Sequence, residues 1–228
     1  MHANWHKIIT MKNILLLVLL IGLFSGDGLF AQENLADMNI REIHVVNGMG
    51  WGFPTGKTKE VLSPKYSTSL GLDIGLKDKR YFLYPSLDFL AFKYDQKIPD
   101  PTTTYMIEHG NSFFYMLNLT AGRYHRLGKW GIYGFGGPAV GMVTEPRAYL
   151  KDNNTITLKN NYYFTPGLRL GAGSEYQLGN VYLFAEASYL YNFRRTQGRP
   201  TGVLVMYGGL KTNVTRVADR VIEIISNP

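Results

Sequence analysis

Four charged residues stand in segments that otherwise alternate between apolar side chains and small or uncharged ones: Asp73, Asp88, Arg169 and Glu186. Each lies on the polar face of its segment. A charge taken out of water is costly unless it is paired. If these polar faces meet in one interior, we expect Arg169 to bridge two or more of the carboxylates in a buried charge network.

A second set of residues has the types needed for nucleophilic catalysis. His109 lies three residues before Ser112, with Glu108 beside it, which is a Ser-His-acid combination within one predicted loop. The other two histidines after the predicted signal, His44 and His125, are not followed two residues later by serine, so neither forms a His-x-Ser motif on a strand face. An ordinary loop histidine explains His109 equally simply, so no catalytic residues are assigned and an enzyme remains an alternative.

The segment 52–58 superficially resembles a phosphate-binding loop, because it contains Gly56-Lys57-Thr58. It lacks the first glycine of that motif, since Trp51 occupies the position five before Gly56, and Pro64 interrupts the helix that should follow. The chain has no cysteine, which excludes disulfides, thiol catalysis and thiolate metal sites. We therefore expect no cofactor and no metal site.

The elements that must position these residues show strand periodicity. Between Tyr162 and Tyr176, apolar side chains occupy most even positions, and small or charged ones occupy most odd positions; the alternation resumes at Val181 after a short turn. Strands in soluble sheets are typically about 5–6 residues long, and these are longer. The predicted strands cover residues 43–53, 66–77, 80–95, 112–126, 130–143, 162–177, 181–193 and 201–215.

The predicted connections alternate in length along the chain. Those at 78–79, 127–129 and 178–180 are tight, whereas 54–65, 96–111, 144–161 and 194–200 are longer. Eight antiparallel strands with this alternation, and with aromatic residues near their ends, favour an all-β, up-and-down transmembrane β-barrel. A secreted β-sandwich is the main competing class.

The two ends of the chain differ from the strands. Lys7 and Lys12 precede an apolar run at 14–24, which is too short to span a membrane as a helix but is typical of a secretory signal. We predict a signal peptide at 1–31, cleaved after Ala31. The barrel is predicted to cover 32–215, and a short periplasmic tail 216–228.

In these features the chain resembles the small eight-stranded outer-membrane barrels of Gram-negative bacteria, the OmpA/OmpX-like group. The signal, the eight alternating segments, the order of turns and loops, and inner charges such as Arg169 and Glu186 carry the resemblance. It implies an outer-membrane location. It implies no particular activity, because the similarity is one of architecture.

The formal net charge of the chain is +7, and the predicted long loops are mostly basic. Arginine pairs well with phosphate, so we predict that Arg194, Arg195 and Arg199 contact lipopolysaccharide. Nucleic-acid binding is not expected, since the basic residues lie in separate loops. The expected role is structural or loop-mediated interaction by a monomer, with a protein partner at the loops or tail. The alternatives are a narrow channel for small or apolar solutes and a lipid A-modifying enzyme.

Overall fold

The computed structural model describes residues 40–78, 80–99, 105–150 and 155–215, with the side chain of Leu150 excepted. The predicted signal peptide at 1–31 and the predicted tail at 216–228 lie outside these residues. Nine strands and a short 3₁₀ helix, Gly56–Glu60, form the described part. The strands are β1 (Ile40–Pro54), β2 (Leu62–Pro64), β3 (Tyr66–Leu76), β4 (Tyr81–Tyr94), β5 (Gly110–Leu127), β6 (Trp130–Leu150), β7 (Ile156–Leu178), β8 (Val181–Thr196) and β9 (Arg199–Asn213).

The strands close into a ring. β1 pairs with β3 and β9, each later strand pairs with the next, and β4 pairs with β5, so no barrel strand is left with a single neighbour among the described residues. All these pairings are antiparallel. The short β2 pairs with β4, as β3 does, and continues the line of β3 across Lys65. β2 and β3 therefore count as one, and the barrel wall has eight strands, called staves here. The predicted eight-stranded antiparallel up-and-down barrel is confirmed.

In the parts of the chain that the structure covers, no helix has the length and apolar character needed to cross a membrane.

Tight turns join β3 to β4, β5 to β6 and β7 to β8 at one end of the barrel, called the turn end here. Gly128 and Gly179 adopt φ values of 64° and 66°, a left-handed conformation that glycine enters without a steric penalty. In the first of these turns, hydrogen bonds from the Arg80 guanidinium and backbone lower the pKa of Asp78 below its ordinary value. The opposite end is called the loop end.

Period-two alternation places one side chain inward and the next outward along every stave. In β8, Tyr182, Phe184 and Leu190 are buried, while Leu183 and Tyr189 between them are exposed. The outer wall is therefore apolar, as a lipid-facing wall must be. Exposed aromatic residues collect near both ends: Tyr81 and Trp130 at the turn end, and Trp51, Phe53, Tyr66, Tyr191 and Phe193 toward the loop end.

Two of the predicted long loops are mostly strand. Residues 144–150 and 156–161 extend β6 and β7 in one continuous hairpin whose last pair is Leu150 with Ile156. The segment 194–200 is also a tight hairpin, since Thr196 pairs with Arg199 and both Gln197 and Gly198 have positive φ. A two-residue turn with positive φ at both positions matches the twist of the flanking strands. The sequence did not indicate this turn, because glutamine is uncommon at its first position.

Candidate functional site

Among the described residues, two clusters of charged side chains lie in the lumen between the barrel strands. The first, called the Arg169 cluster, contains Arg169 of β7, Asp88 of β4 and Glu186 of β8. All three side chains are buried. Their strands are not all adjacent, so it is closure of the barrel that brings them together.

Arg169 uses its whole guanidinium within this cluster. One terminal nitrogen lies 3.0 Å from Asp88 Oδ2 and the other 2.8 Å from Glu186 Oε1. Its Nε donates to Ser188 Oγ at 3.1 Å, and Nη1 donates to Ser86 Oγ at 2.9 Å. Three of the four residues predicted for the charge network therefore meet.

Further donors satisfy the two carboxylates of the cluster. The hydroxyl of Ser69 donates to Asp88 Oδ1 at 2.6 Å, and that of Tyr133 donates to Glu186 Oε2 at 3.2 Å. Packing is equally tight, since a Cβ added at Gly171 would lie 2.4 Å from the Phe135 ring. Charges that are both paired and hydrogen-bonded can be held in a dry interior.

Asp73, the fourth predicted member, lies elsewhere. It belongs to the Lys211 cluster, where Lys211 Nζ lies 3.0 Å from Asp73 Oδ2 and 2.9 Å from Glu175 Oε2. The Tyr124 hydroxyl donates to Asp73 and accepts a hydrogen bond from Lys211 Nζ at 2.8 Å. Lys211 was not among the residues predicted for the network, although Val205, Tyr207 and Lys211 share the buried face of β9.

The Lys211 cluster reaches the turn end through Arg126, whose guanidinium lies 3.3 Å from Glu175 Oε1 and is about one-third exposed. Glu175 itself is buried. The four carboxylates thus form two pairs, each with one buried cation. Asp88 and Glu186 share Arg169, and Asp73 and Glu175 share Lys211. Each of the four carboxylates therefore lies within 3.0 Å of a buried cation. Arg126 lies at the rim beside Glu175.

Toward the loop end, a cluster of apolar side chains packs in the lumen. Leu90, Phe92, Phe114, Leu190 and Val203 are all fully buried there. The rings of Phe92 and Phe114 pack with their centroids 4.9 Å apart. Small barrels of eight strands have an interior just wide enough for side chains, and here those side chains occupy it.

The three arginines predicted to contact lipopolysaccharide point in different directions. Arg194 stacks on the ring of Tyr163, with its guanidinium carbon 3.9 Å from the ring centroid. Arg199 donates from both Nε and Nη2 to Glu60 Oε2, at 3.2 and 3.1 Å. Arg195 is exposed and lies beside Arg199 at the turn that joins β8 to β9.

The residues considered for catalysis are engaged separately. Ser112 is buried, and its hydroxyl donates to the Thr144 carbonyl oxygen at 2.5 Å. His109 is 87% exposed, with Nδ1 3.9 Å from Asp95 Oδ1. A serine held in this way by a backbone carbonyl is not activated by His109. Within the described ranges, no three His, Asp or Glu side chains are grouped so that they could hold a metal ion.

The hairpin of β6 and β7 projects beyond its neighbours at the loop end. Pairing of β7 with β8 stops at Gly167 with Asn192, whereas pairing with β6 continues to Ile156. Residues 156–166 therefore have one strand edge that pairs with no other strand in the described part of the chain. Leu158 and Tyr162, on the outer face of this stretch, are 67% and 64% exposed.

The fold resembles that of solved outer-membrane proteins. The Neisserial surface protein A is 12% identical, with a TM-score of 0.53, over 76% of this chain and 97% of that chain. A major outer membrane protein from Thermus thermophilus is 13% identical, with a TM-score of 0.53, over 76% of this chain and 99% of that chain. No protein-family model and no curated protein sequence matches the chain. At these identities the likeness concerns the fold.

Proposed function

We propose that this protein is an outer-membrane β-barrel with a closed lumen, which serves an interaction role through its loop end outside the cell. The apolar outer wall, the two aromatic zones and the fold shared with outer-membrane proteins support the location. The tight turns then face the periplasm. The observation that carries the interaction role is the projecting hairpin of β6 and β7.

The open edge of β7 at residues 156–166 offers unpaired backbone groups to an extended segment of a partner. Such an edge is a template for strand addition, in which backbone hydrogen bonds supply affinity and side-chain contacts supply selectivity. The exposed Leu158 and Tyr162 supply apolar contacts beside this edge. The expected partner is therefore a protein with an extended, partly apolar segment.

Charging the outer face of this hairpin should abolish the interaction. Peptides would be selected from a random library against the full chain in lipid nanodiscs. We expect the double variant Leu158→Lys, Tyr162→Lys to bind the selected peptides at least about tenfold more weakly, because lysine beside an edge opposes strand addition.

Leu127→Lys is the matched control, since Leu127 is 61% exposed at the turn end. It should bind the peptides as the unaltered protein does. Equal binding by the double variant would contradict the role of the hairpin, and an unchanged mobility shift on unboiled gels would verify that both variants fold.

The packed lumen argues against the channel alternative. We expect the folded protein in a planar bilayer to show no steady unitary conductance, because Leu90, Phe92, Phe114 and Leu190 occlude the lumen and the charges below them are paired. Protease protection of the same protein preparation in lipid vesicles would verify that it inserts into a bilayer. A stable, reproducible current step would show that this occlusion opens and would favour a channel.

Contact with lipopolysaccharide is a second component of the proposal. Arg195 and Arg199 lie together at the loop end, near which phosphate groups of the outer leaflet would be found. Arg194 is left out of this contact, because it stacks on Tyr163. The tail at 216–228 stays the predicted contact for a periplasmic partner.

A further inference from the structure

A cleft of about 510 Å³ opens at the loop end, between the 3₁₀ helix Gly56–Glu60 and the hairpin turn that joins β8 to β9. Its lining includes Lys57, Glu60, Ile98, Arg195 and Arg199. Three of these five side chains are cationic and one is anionic. The cleft therefore carries a net positive charge of two.

The walls of this cleft are fixed by buried polar contacts. Gln197, in the turn, is buried, and its Oε1 accepts hydrogen bonds from the backbone N–H groups of Lys97 at 2.8 Å and Ile98 at 3.1 Å. Thr58, in the 3₁₀ helix, is fully buried and its hydroxyl donates to the Pro200 carbonyl oxygen. Helix, turn and loop are thus joined into one frame, and this frame fixes the backbone segments that carry the cations.

The cations of the cleft differ in what they already bind. Arg199 is occupied by Glu60, to which it donates twice. Among the described residues, Lys57 and Arg195 form no ion pair, and both are exposed. Two cations are thus available to an anion from outside, and a third is oriented beside them by a carboxylate.

The depth of the cleft matches the phosphate zone of a membrane. Phe193 is 55% exposed on the outer face of β8 and belongs to the loop-end aromatic zone. Arg195 follows two residues later in the same strand and is exposed. Aromatic residues of such zones sit at the headgroup level, so Arg195 lies at or just above it.

We propose that this cleft binds a phosphate monoester of lipid A in the outer leaflet, with Arg195 and Lys57 as the direct contacts and Arg199 held beside them by Glu60. The assignment rests on the proposed outer-membrane location. Arginine suits this role because its planar fork can donate two hydrogen bonds to one phosphate, while lysine adds a compact charge.

The test is lipid A binding to the full chain in phosphatidylcholine nanodiscs, counted by native mass spectrometry. The double variant Lys57→Gln, Arg195→Gln should bind bisphosphorylated lipid A at least about tenfold more weakly, since a hydrogen bond to a charged group contributes enough for one such factor. Glu60→Gln should bind it more tightly, because it removes the anion of this lining and releases Arg199.

Arg194→Gln is the matched control, one residue from Arg195 but stacked on Tyr163. It should leave lipid A binding unchanged. An equal loss in Arg194→Gln, or no loss in the double variant, would overturn the site. Lipid A stripped of phosphate should not bind. Inorganic phosphate that binds as tightly as lipid A would overturn the lipid as the source of the phosphate.

The orientation of the barrel in the outer membrane is tested separately, so that a failure of the lipid A site can be told apart from a failure of the proposed location. The chain has no cysteine, so Leu158→Cys gives one thiol, at a position whose side chain is 67% exposed on the projecting hairpin of β6 and β7. A membrane-impermeant maleimide should label it on intact cells. Labelling without lipid A binding would overturn the cleft alone, whereas no labelling would overturn the proposed orientation.

Discussion

Arg169→Met should destabilise the folded barrel by about 3–5 kcal/mol, the usual cost of removing one partner from a buried ion pair. The variant leaves Asp88 and Glu186 in the lumen without their cation, at distances of 3.0 and 2.8 Å from where it stood. Reversible urea unfolding in lipid vesicles measures the change.

Neutralising the partners identifies the cause of this loss. The triple variant Arg169→Met, Asp88→Asn, Glu186→Gln should recover at least half of the lost free energy of unfolding, because no uncompensated charge remains in the Arg169 cluster. Arg80→Met, at an exposed pair in the first turn, should unfold as the unaltered protein does. A single variant as stable as the unaltered protein would show that water reaches both carboxylates.

Lys211→Met should be the next most damaging change, with a loss of about 3 kcal/mol by the same reasoning. It removes the ammonium that lies within 3.0 Å of both Asp73 and Glu175. Glu175 keeps Arg126 at 3.3 Å, so the cost falls mainly on Asp73. The free energy of unfolding in vesicles again measures it.

Neutralising each carboxylate in turn shows how much of the lost free energy of unfolding comes from Asp73 and how much from Glu175. Adding Asp73→Asn to Lys211→Met should restore more stability than adding Glu175→Gln, because Arg126 still compensates Glu175. Lys93→Met, exposed on the outer side of β4, is the control for loss of a lysine and should have little effect. Equal rescue by the two additions would contradict the role given to Arg126.

The sequence alone determined the staves and their faces. Alternation with a period of two is a local property, because each side chain points opposite to its neighbour whatever the strand later pairs with. The eight predicted segments therefore coincide with the staves of the barrel to within a few residues, apart from the loop-end extensions of β6 and β7. Two of the tight turns were equally local, since Gly128 and Gly179 mark positive φ.

Strand extensions at the loop end were hidden because their residues do not follow one clear pattern. Residues 144–150 include Glu145, Pro146 and Arg147, which are uncommon in strands, yet they pair with β7 along their whole length. Pairing with a long neighbour overrides these weak preferences. The open edge of β7, on which the proposed interaction depends, was therefore visible only in the structure.

Which charges meet was decided by tertiary structure alone. The sequence placed Asp73, Asp88, Arg169 and Glu186 on inner faces, but not at a height along the barrel. Height depends on the stagger between neighbouring strands, which accumulates around the ring. That stagger brings Asp73 to Lys211, and leaves Asp88 and Glu186 with Arg169. Local alternation decides the side of the wall on which a residue lies, whereas its partner across the lumen follows from closure of the whole ring.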